Sequence, residues 1–347
     1  MDRNAKIFVA GHRGLVGSAI LRHLKSSGYT NIITRASDEL DLTDQKTVEG
    51  FFKKERPEYV YLAAAKVGGI LANSTYPAEF LYENIMIGAN VVHASYKYGV
   101  KKLLNLGSSC IYPRLAPQPI KEDSLLISSL EPTNEGYAIA KISTIKLCRY
   151  YNQQYGTNFI SVMPTNQYGP CDNFNMETAH LLPMIMRRFY LAKLLQNNDW
   201  NGIKKDIAKN KLGYGLDEIV REDNLEEILN KVGAYRDKAL VWGDGSVYRE
   251  LMHSYDLANA CVYIMENYNY SDIGELINIT GETDILLSDL FVLIQKTVGF
   301  AGRIEYDTTK PNGMPRKLMD ATKIQSLGWK PKISLRDGLE MVYEEYK

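Results

Sequence analysis

A glycine-rich turn near the N-terminus constrains the fold of this chain more than any other feature. Residues 6–10 (KIFVA) form the apolar run of a buried parallel strand, residues 11–17 (GHRGLVG) place three glycines three apart, and residues 18–27 have helical periodicity. Glycines let the backbone turn tightly and approach a pyrophosphate, whose charge the free N–H groups of the following helix can bind. GxxGxxG is a weak signal by itself, but between a strand and a helix it predicts a dinucleotide-binding unit.

The residues that follow indicate which dinucleotide is bound. Arg35 ends the second predicted strand, where NAD-preferring proteins usually carry an acid, and a guanidinium suits a 2′-phosphate. Arg13 could reach the same phosphate, so we expect NADPH rather than NADH; the alternative is that both are solvated loop charges. Small side chains after the third strand leave room for the dinucleotide. The cofactor residues predicted here are Gly11, Arg13, Gly14, Leu15, Val16, Gly17, Arg35, Asp41, Leu42, Ala63, Ala64 and Ala65.

A tyrosine and a lysine four residues apart supply candidate chemistry. Tyr137 and Lys141 lie on one face of a helix predicted at 137–155, so we expect the ammonium to lower the pKa of the phenol from its ordinary value of about 10. Such a phenol can donate a proton to a carbonyl near neutral pH. Ser108, just after a strand predicted at 102–106, could bind the same carbonyl oxygen. A YxxxK spacing alone is more often accidental, so the serine is what gives it weight.

The alternation of strands and helices predicts the fold class and the domains. It continues through residue 106 and predicts an α/β protein with a Rossmann-type doubly wound parallel sheet. The alternation ends after residue 169, which predicts a smaller α+β substrate-binding domain. We expect the NADP-binding domain to comprise 1–168 and 241–278, and the substrate-binding domain to comprise 169–240 and 279–347.

Residues 196–238 form a charged segment rich in asparagine and lysine. Helical spacing over 217–232 predicts an inserted helical subdomain rather than a disordered linker. The insertion could be a lid, an interface or decoration, and decoration is the simplest of the three.

Composition and charge exclude several function classes. The 347 residues include 41 Lys and Arg and 41 Asp and Glu, so no net charge attracts nucleic acid or an anionic membrane. The N-terminus has no apolar stretch long enough for a signal or membrane-spanning segment, which predicts a cytoplasmic protein. The four cysteines lie far apart without a CxxC and the five histidines do not cluster, so we expect neither a disulfide framework nor a metal site.

Five strings carry a family resemblance: residues 11–14 (GHRG), 63–70 (AAAKVGGI), 107–113 (GSSCIYP), 131–135 (EPTNE) and 163–170 (MPTNQYGP). Together they resemble the GDP-L-fucose synthases of the extended short-chain dehydrogenase/reductase superfamily, and the resemblance extends over most of the chain outside the insertion. It implies an NADPH-dependent enzyme that epimerises GDP-4-keto-6-deoxy-mannose at C3 and C5 and then reduces the C4 ketone. Relatives are usually homodimers through a four-helix interface, which the helices predicted at 79–99 and 137–155 could supply.

The resemblance also implies roles for individual residues. Epimerisation needs a base and an acid at carbons made acidic by the ketone, and Cys110 and His180 match the family's cysteine and histidine. Without the resemblance, Cys110 would be a buried small residue and His180 a helix cap. The full catalytic set is Ser108, Cys110, Tyr137, Lys141 and His180. Tyr137, Lys141, Pro164 and His180 complete the cofactor set. The substrate residues are Ser109, Asn166, Arg188, Trp242, Arg249 and Lys310, whose three cations suit a diphosphate.

Some departures from the family pattern leave the reaction open. Related dehydratases carry an Asp-Glu pair where this chain has Ser109 and Cys110, which argues against dehydration. The insertion at 196–238 is longer than the family's usual connection, and residues 251–256 (LMHSYD) replace a His-Val-Asp-Asp pattern. The alternative is a C4 reductase of another GDP-4-keto sugar, such as a GDP-4-keto-heptose of bacterial capsule or surface-polysaccharide biosynthesis, with epimerisation done elsewhere. A non-enzymatic NADPH-binding sensor is a third hypothesis, but such proteins typically lose the Tyr/Lys pair.

Overall fold

The computed structural model describes residues 1–281, 283–310, 312 and 314–347, and the chain divides into two compact units. Unit 1 consists of Met1–Gln167, Glu250–Thr283 and Leu318–Ile333, and unit 2 consists of Tyr168–Arg249, Asp284–Lys317 and Ser334–Lys347.

The strands, in chain order, are β1 (Ile7–Ala10), β2 (Ile32–Ile33), β3 (Tyr59–Leu62), β4 (Lys102–Leu106), β5 (Phe159–Pro164), β6 (Asn166–Tyr168), β7 (Lys238–Trp242), β8 (Tyr248–His253), β9 (Ile277–Ile279), β10 (Asp284–Leu286) and β11 (Arg303–Asp307). The helices are α1 (Leu15–Ser26), α2 (Gln45–Glu55), α3 (Ile70–Thr75), α4 (Pro77–Lys97), α5 (Glu135–Tyr155), α6 (Leu181–Gln196), α7 (Trp200–Lys209), α8 (Leu225–Lys231), α9 (Ser254–Asn267), α10 (Tyr270–Ile273), α11 (Leu287–Val298), α12 (Thr322–Ser326) and α13 (Leu335–Tyr346). No described helix is both long and apolar enough to cross a bilayer.

Unit 1 is built on a parallel six-stranded sheet of order β2-β1-β3-β4-β5-β9. Alternate residues of each strand face opposite sides, as the pleat requires. In β1, Ile7 and Val9 join a core cluster with α1 and α9, whereas Phe8 and Ala10 join a second cluster with α2 and α4. Helices therefore cover both faces of the sheet, and the predicted doubly wound α/β fold is confirmed.

Most predicted elements of unit 1 are present with small shifts at their ends. The strand predicted at 102–106 has those bounds, and α2 begins after Asp44, whose carboxylate accepts the N–H of Thr47 at 2.6 Å. Helix α1 begins at Leu15, three residues earlier than the periodicity indicated. Its first turn lies within the glycine sequence because the glycine N–H and C=O groups take part in the helix.

The segments that return to unit 1 differ from the single segment, 241–278, predicted from the sequence. Residues 241–249 belong to unit 2, and Leu318–Ile333 belongs to unit 1. The buried carboxylate of Glu250 explains the second return, since it accepts the N–H of Met319 at 3.1 Å and the hydroxyl of Thr280. Ile120 also exchanges backbone hydrogen bonds of 2.8 Å with the 318–320 segment. These long-range bonds leave no local pattern in the sequence.

Helix α6 is the centre of unit 2. It packs against α7, α8, α11 and β7, and β7 pairs in parallel with β11. The segment 196–238 contributes α7 and α8. The helix predicted over 217–232 forms only at Leu225–Lys231, after a short 3-10 turn at Leu216–Glu218. The Asn224 side chain explains the difference, since it accepts the N–H of Arg221 at 2.7 Å and donates to the Ile219 carbonyl at 2.9 Å in place of helical bonds.

Candidate active site

The end of β4 and the first turn of α5 bring three candidate residues together in unit 1. Ser108 follows β4 after Gly107, where an added Cβ would collide with the side chain of Met163. Tyr137 and Lys141 lie one turn apart on α5, with the lysine Nζ 5.8 Å from the centre of the phenol ring. The Ser108 hydroxyl lies near enough to the Tyr137 phenol to affect its pKa. A serine and a phenol can therefore bind one carbonyl oxygen here.

Burial sets the protonation of both α5 groups. Desolvation lowers the pKa of Lys141 to about 8, and its Nζ donates to the Leu106 carbonyl at 2.8 Å. Desolvation also raises the pKa of Tyr137 above its ordinary value; Cys110 adds to this shift and the Ser108 hydroxyl opposes it. The expected lowering of the Tyr137 pKa is therefore wrong for the protein alone, because burial disfavours the charged form of both groups. Tyr137 remains a protonated donor at neutral pH.

Cys110 belongs to the same group of residues. Its N–H donates to the Ser108 hydroxyl at 3.2 Å, within a 3-10 turn at Ser109–Ile111, and the side chain of Ser109 is buried. Asn134 donates from Nδ2 to the cysteine Sγ at 3.3 Å. Asn134 lies within the string 131–135, but no role was predicted for it from the sequence. The family resemblance was the only signal that could have singled it out.

The backbone of the glycine turn is closely packed. Gly11 has φ +82°, and a Cβ there would lie 2.6 Å from the Ala64 nitrogen. A Cβ at Gly17 would collide with the Gly11 carbonyl. Helix α1 begins at its N-cap Gly14 with no side-chain cap and no acid in the first turn. No side chain caps the N–H groups at the start of α1, where they could bind a pyrophosphate. The turn therefore fits the predicted cofactor.

The two arginines predicted to bind a 2′-phosphate have different surroundings. Arg13 is exposed within the turn. Arg35 donates to Glu55 at 3.0 Å and to the Thr34 carbonyl at 2.8 Å. A guanidinium has more N–H donors than these contacts use, so Arg35 can still bind a phosphate. Asp41 accepts the N–H and the hydroxyl of Thr43 in a local turn.

Other predicted residues lie at the ends of elements. Leu42 offers its carbonyl to Asn90 at 2.9 Å, and Ala63 follows β3 with its N–H on the Ala10 carbonyl at 3.1 Å. Pro164 ends β5. Asn166 is exposed and donates to the Glu250 carbonyl at 2.9 Å.

Unit 2 carries the remaining predicted residues. His180 is the N-cap of α6, and its exposed side chain forms no cap bond. Lys310 has its Nζ 5.7 Å from the centre of the half-exposed Trp242 ring. Arg249 donates at 2.7 Å to the carbonyls of Tyr248 and Met314.

Arg188 on α6 is a buried cation. Its guanidinium donates to the carbonyls of Val232 and Leu240 at 2.7 and 2.6 Å, and desolvation lowers its pKa to about 10. Within the described part of the chain, no carboxylate forms an ion pair with it. A buried charge without a counter-ion is unfavourable, so this position suits an anionic ligand.

The neighbouring Arg187 has a different environment, which the sequence did not distinguish. It is fully buried and donates from Nε and NH2 to Asp206 at 3.0 and 2.8 Å. It also donates to the carbonyls of Phe174, Asn210 and Lys211. Tyr346 of α13 donates to the other oxygen of Asp206. Every contact is internal, so Arg187 is a structural residue of unit 2.

A family model accounts for this combination of sheet, glycine turn and Ser/Tyr/Lys group. The model described as "NAD dependent epimerase/dehydratase family" matches residues 7–204 and 210–280. The chain belongs to this family.

Within the NAD dependent epimerase/dehydratase family, the chain is similar to named proteins over nearly its full length. It is 50% identical over 345 residues to GDP-L-fucose synthase 1 of Arabidopsis thaliana, covering 99% of this chain and 94% of that protein. It is 44% identical over 345 residues to GDP-L-fucose synthase of Escherichia coli (strain K12), covering 98% and 95%. Among solved structures, MlghC, a GDP-mannoheptose C4 reductase from Campylobacter jejuni with NADP bound, is 39% identical with a TM-score of 0.87, covering 100% and 99%.

Proposed function

We propose that the protein is an NADPH-dependent reductase of the C4 ketone of a GDP-4-keto sugar. The substrate is GDP-4-keto-6-deoxy-mannose, which is first epimerised at C3 and C5, and the product is GDP-L-fucose. Similarity over nearly the full chain to two GDP-L-fucose synthases supports the substrate. The observation that carries the reaction is the grouping of Ser108, Tyr137 and the buried Lys141 where β4 ends and α5 begins.

The cofactor would be held by the residues predicted for it. The bare turn at 11–17 would take the pyrophosphate, Arg13 and Arg35 the 2′-phosphate, and Lys141 and Tyr137 would lie beside the reactive end. NADP bound to the Campylobacter jejuni reductase supports this choice of cofactor. When bound, NADPH supplies the hydride that reduces the ketone.

Three side chains of unit 1 would bind the ketone oxygen and protonate it. Ser108 donates a hydrogen bond to the C4 oxygen and orients it, and Tyr137 transfers its phenolic proton to the alkoxide as the carbonyl is reduced. Lys141, which is mostly protonated below its pKa of about 8, stabilises the phenolate that remains. Burial keeps Tyr137 protonated until the alkoxide forms, which makes it a donor rather than a base.

Epimerisation would use Cys110 and His180. One group removes the proton from the carbon next to the ketone and the other returns a proton to that carbon, so the number of protons balances at each centre. Asn134 donates from Nδ2 to the cysteine Sγ at 3.3 Å and so holds the thiol in position for this role.

The GDP portion would be bound mainly by unit 2. Arg188, Arg249 and Lys310 supply positive charge for the diphosphate, and a guanidinium can bind phosphate through two parallel hydrogen bonds. Trp242, Asn166 and Ser109 are the further substrate residues of the proposal. The desolvated Arg188, without an ion pair in the described residues, supports an anion at that position.

A second candidate is a C4 reductase of a GDP-4-keto-heptose. The similarity to a GDP-mannoheptose C4 reductase favours it, and the protein would then act in bacterial capsule or surface-polysaccharide biosynthesis. Cys110 and His180 would have no role in epimerisation in this case, and another enzyme would perform it.

We also infer a homodimer and a cytoplasmic location. Helices α4 and α5 pack together and expose large side chains such as Tyr82 and Ile139, which a second copy could cover. Light scattering of the purified protein tests the dimer. None of the four cysteines, all of which the structure describes, forms a disulfide, and a catalytic Cys110 must stay reduced, as it would in the cytoplasm.

Incubation with NADPH and a panel of GDP-4-keto sugars in D2O, followed by NMR of the products, tests the function. Oxidation of NADPH with deuterium at C3 and C5 supports the epimerase and reductase together. Oxidation without deuterium supports the second candidate. If no GDP-4-keto sugar is reduced, the proposed function is wrong.

A further inference from the structure

The inserted segment 196–238 contains a turn with an unusual backbone. Gly213, Tyr214 and Gly215 have φ values of +80°, +54° and +67°. The two glycines adopt this left-handed region freely, but a bulky aromatic residue there is strained. Such strain persists only where the surroundings enforce it, and it concentrates at functional sites.

Two carboxylates hold the turn in place. Asp217 accepts the N–H groups of Leu212 and Gly213, both at 2.8 Å, and Glu177 accepts the N–H of Tyr214 at 2.6 Å. The fit is close, because a Cβ at Gly213 would lie 2.6 Å from the Cβ of Glu177. The turn is therefore tied to the loop that leads into α6, three residues before His180.

The Tyr214 phenol lies within electrostatic range of Arg188. Tyr214 is 44% exposed, and its hydroxyl donates to the Met176 carbonyl at 3.3 Å, near the upper limit for a hydrogen bond. Tyr214 and Arg188 interact electrostatically. The Arg188 Nε donates to the carbonyl of Val232, which is the C-cap of α8 in the same insertion. A buried cation and the hydroxyl of a partly exposed phenol thus lie within electrostatic range of each other.

We propose that Tyr214 is a further substrate-binding residue, whose hydroxyl donates to the diphosphate group that Arg188 binds. This inference rests on the proposed function, and it makes the insertion part of the nucleotide site rather than decoration. An ionised phosphate oxygen is a stronger acceptor than a peptide carbonyl, so the hydroxyl exchanges its long bond to Met176 for the ligand. In this proposal the strained turn orients the Tyr214 ring toward the diphosphate.

Calorimetric titration of the full chain with GDP tests the proposal. Tyr214→Phe removes only the hydroxyl and is expected to weaken GDP binding about tenfold, the loss expected for one hydrogen bond to a charged group. Tyr214→Gly also removes the ring and is expected to weaken binding further, while relief of the left-handed strain keeps Tm at or above that of wild type. NADPH affinity is expected to be unchanged in both variants.

Leu126→Gly is the matched control, because Leu126 is also exposed and has φ +65° but lies in unit 1. It should show the same relief of strain with unchanged affinity for GDP. Wild-type affinity for GDP in both Tyr214 variants would overturn this inference while leaving the proposed function intact. Failure of the wild-type protein to bind GDP would instead contradict the proposed function.

Discussion

The candidate residues of the two units differ in the groups that they interact with. In unit 1, the Ser108 hydroxyl lies near the Tyr137 phenol, and Lys141 donates to the Leu106 carbonyl at 2.8 Å. In unit 2, Arg188 donates only to backbone carbonyls among its described hydrogen bonds, and its charge has no described ion pair. In the proposed mechanism the fold thus preorganises the groups for proton transfer, whereas the charge of Arg188 would be neutralised only when the diphosphate binds.

Two adjacent arginines of α6, Arg187 and Arg188, differ in the same way. Arg187 is paired with Asp206 and surrounded by protein acceptors, so it stabilises the unit. Arg188 is equally buried but has no such carboxylate among the described residues, so it is available to an anion.

Tyr137→Phe should remove the proton donor of unit 1. We expect kcat to fall by about 10²–10⁴-fold, the usual contribution of a positioned acid, while NADPH affinity stays near that of wild type. NADPH oxidation and a cofactor titration measure the two quantities. Tyr150→Phe, on the exposed side of the same helix, is the control and should keep wild-type turnover. Unchanged turnover in Tyr137→Phe would remove this residue from the mechanism.

Arg187→Met should destabilise the protein, because it leaves Asp206 buried without its partner. We expect the free energy of unfolding to fall by about 3–5 kcal/mol. Urea denaturation measures this change, and Arg221→Met, at an exposed ion pair of the same unit, should change it by less than about 1 kcal/mol. Equal effects of the two substitutions would contradict the distinction between a structural and a surface arginine.

Lys141 should make stability depend on pH above neutrality. Its pKa is about 8 in the folded protein, below its ordinary value, so the unfolded chain binds more protons between these values. The folded state bears the full cost of the buried ammonium below pH 8 and loses that cost as the pH rises. Relative to Lys141→Met, wild type should therefore gain on the order of 3 kcal/mol in unfolding free energy as pH rises from 7 to about 10.5. A difference that stays constant with pH would show that burial does not shift this lysine.

Arg188→Met should weaken the binding of the substrate more than it affects the chemistry. We expect KM for the GDP sugar to rise about 10- to 100-fold, as for loss of charge-assisted hydrogen bonds, with NADPH affinity unchanged. Steady-state kinetics with each substrate varied in turn separates these effects. Here too Arg221→Met is the control. If KM rises only for NADPH, the diphosphate assignment is incorrect.

Local sequence predicted the parts of the molecule that depend on local spacing. The four-residue step from Tyr137 to Lys141 and the strand at 102–106 needed no tertiary information. The raised pKa of Tyr137 was not predictable, because desolvation depends on how residues distant in sequence cover the ring. Arg187 and Arg188 are adjacent and chemically identical, so only Asp206, nineteen residues away, separates their roles.

The central claim is that Ser108 and Tyr137 bind the C4 oxygen of a GDP-linked sugar together. A crystal structure of the full chain with NADP+ and GDP-L-fucose measures this directly. The account predicts a C4 hydroxyl within about 2.6–3.2 Å of both the Ser108 Oγ and the Tyr137 Oη. A sugar bound with its C4 oxygen beyond the reach of either hydroxyl would contradict it.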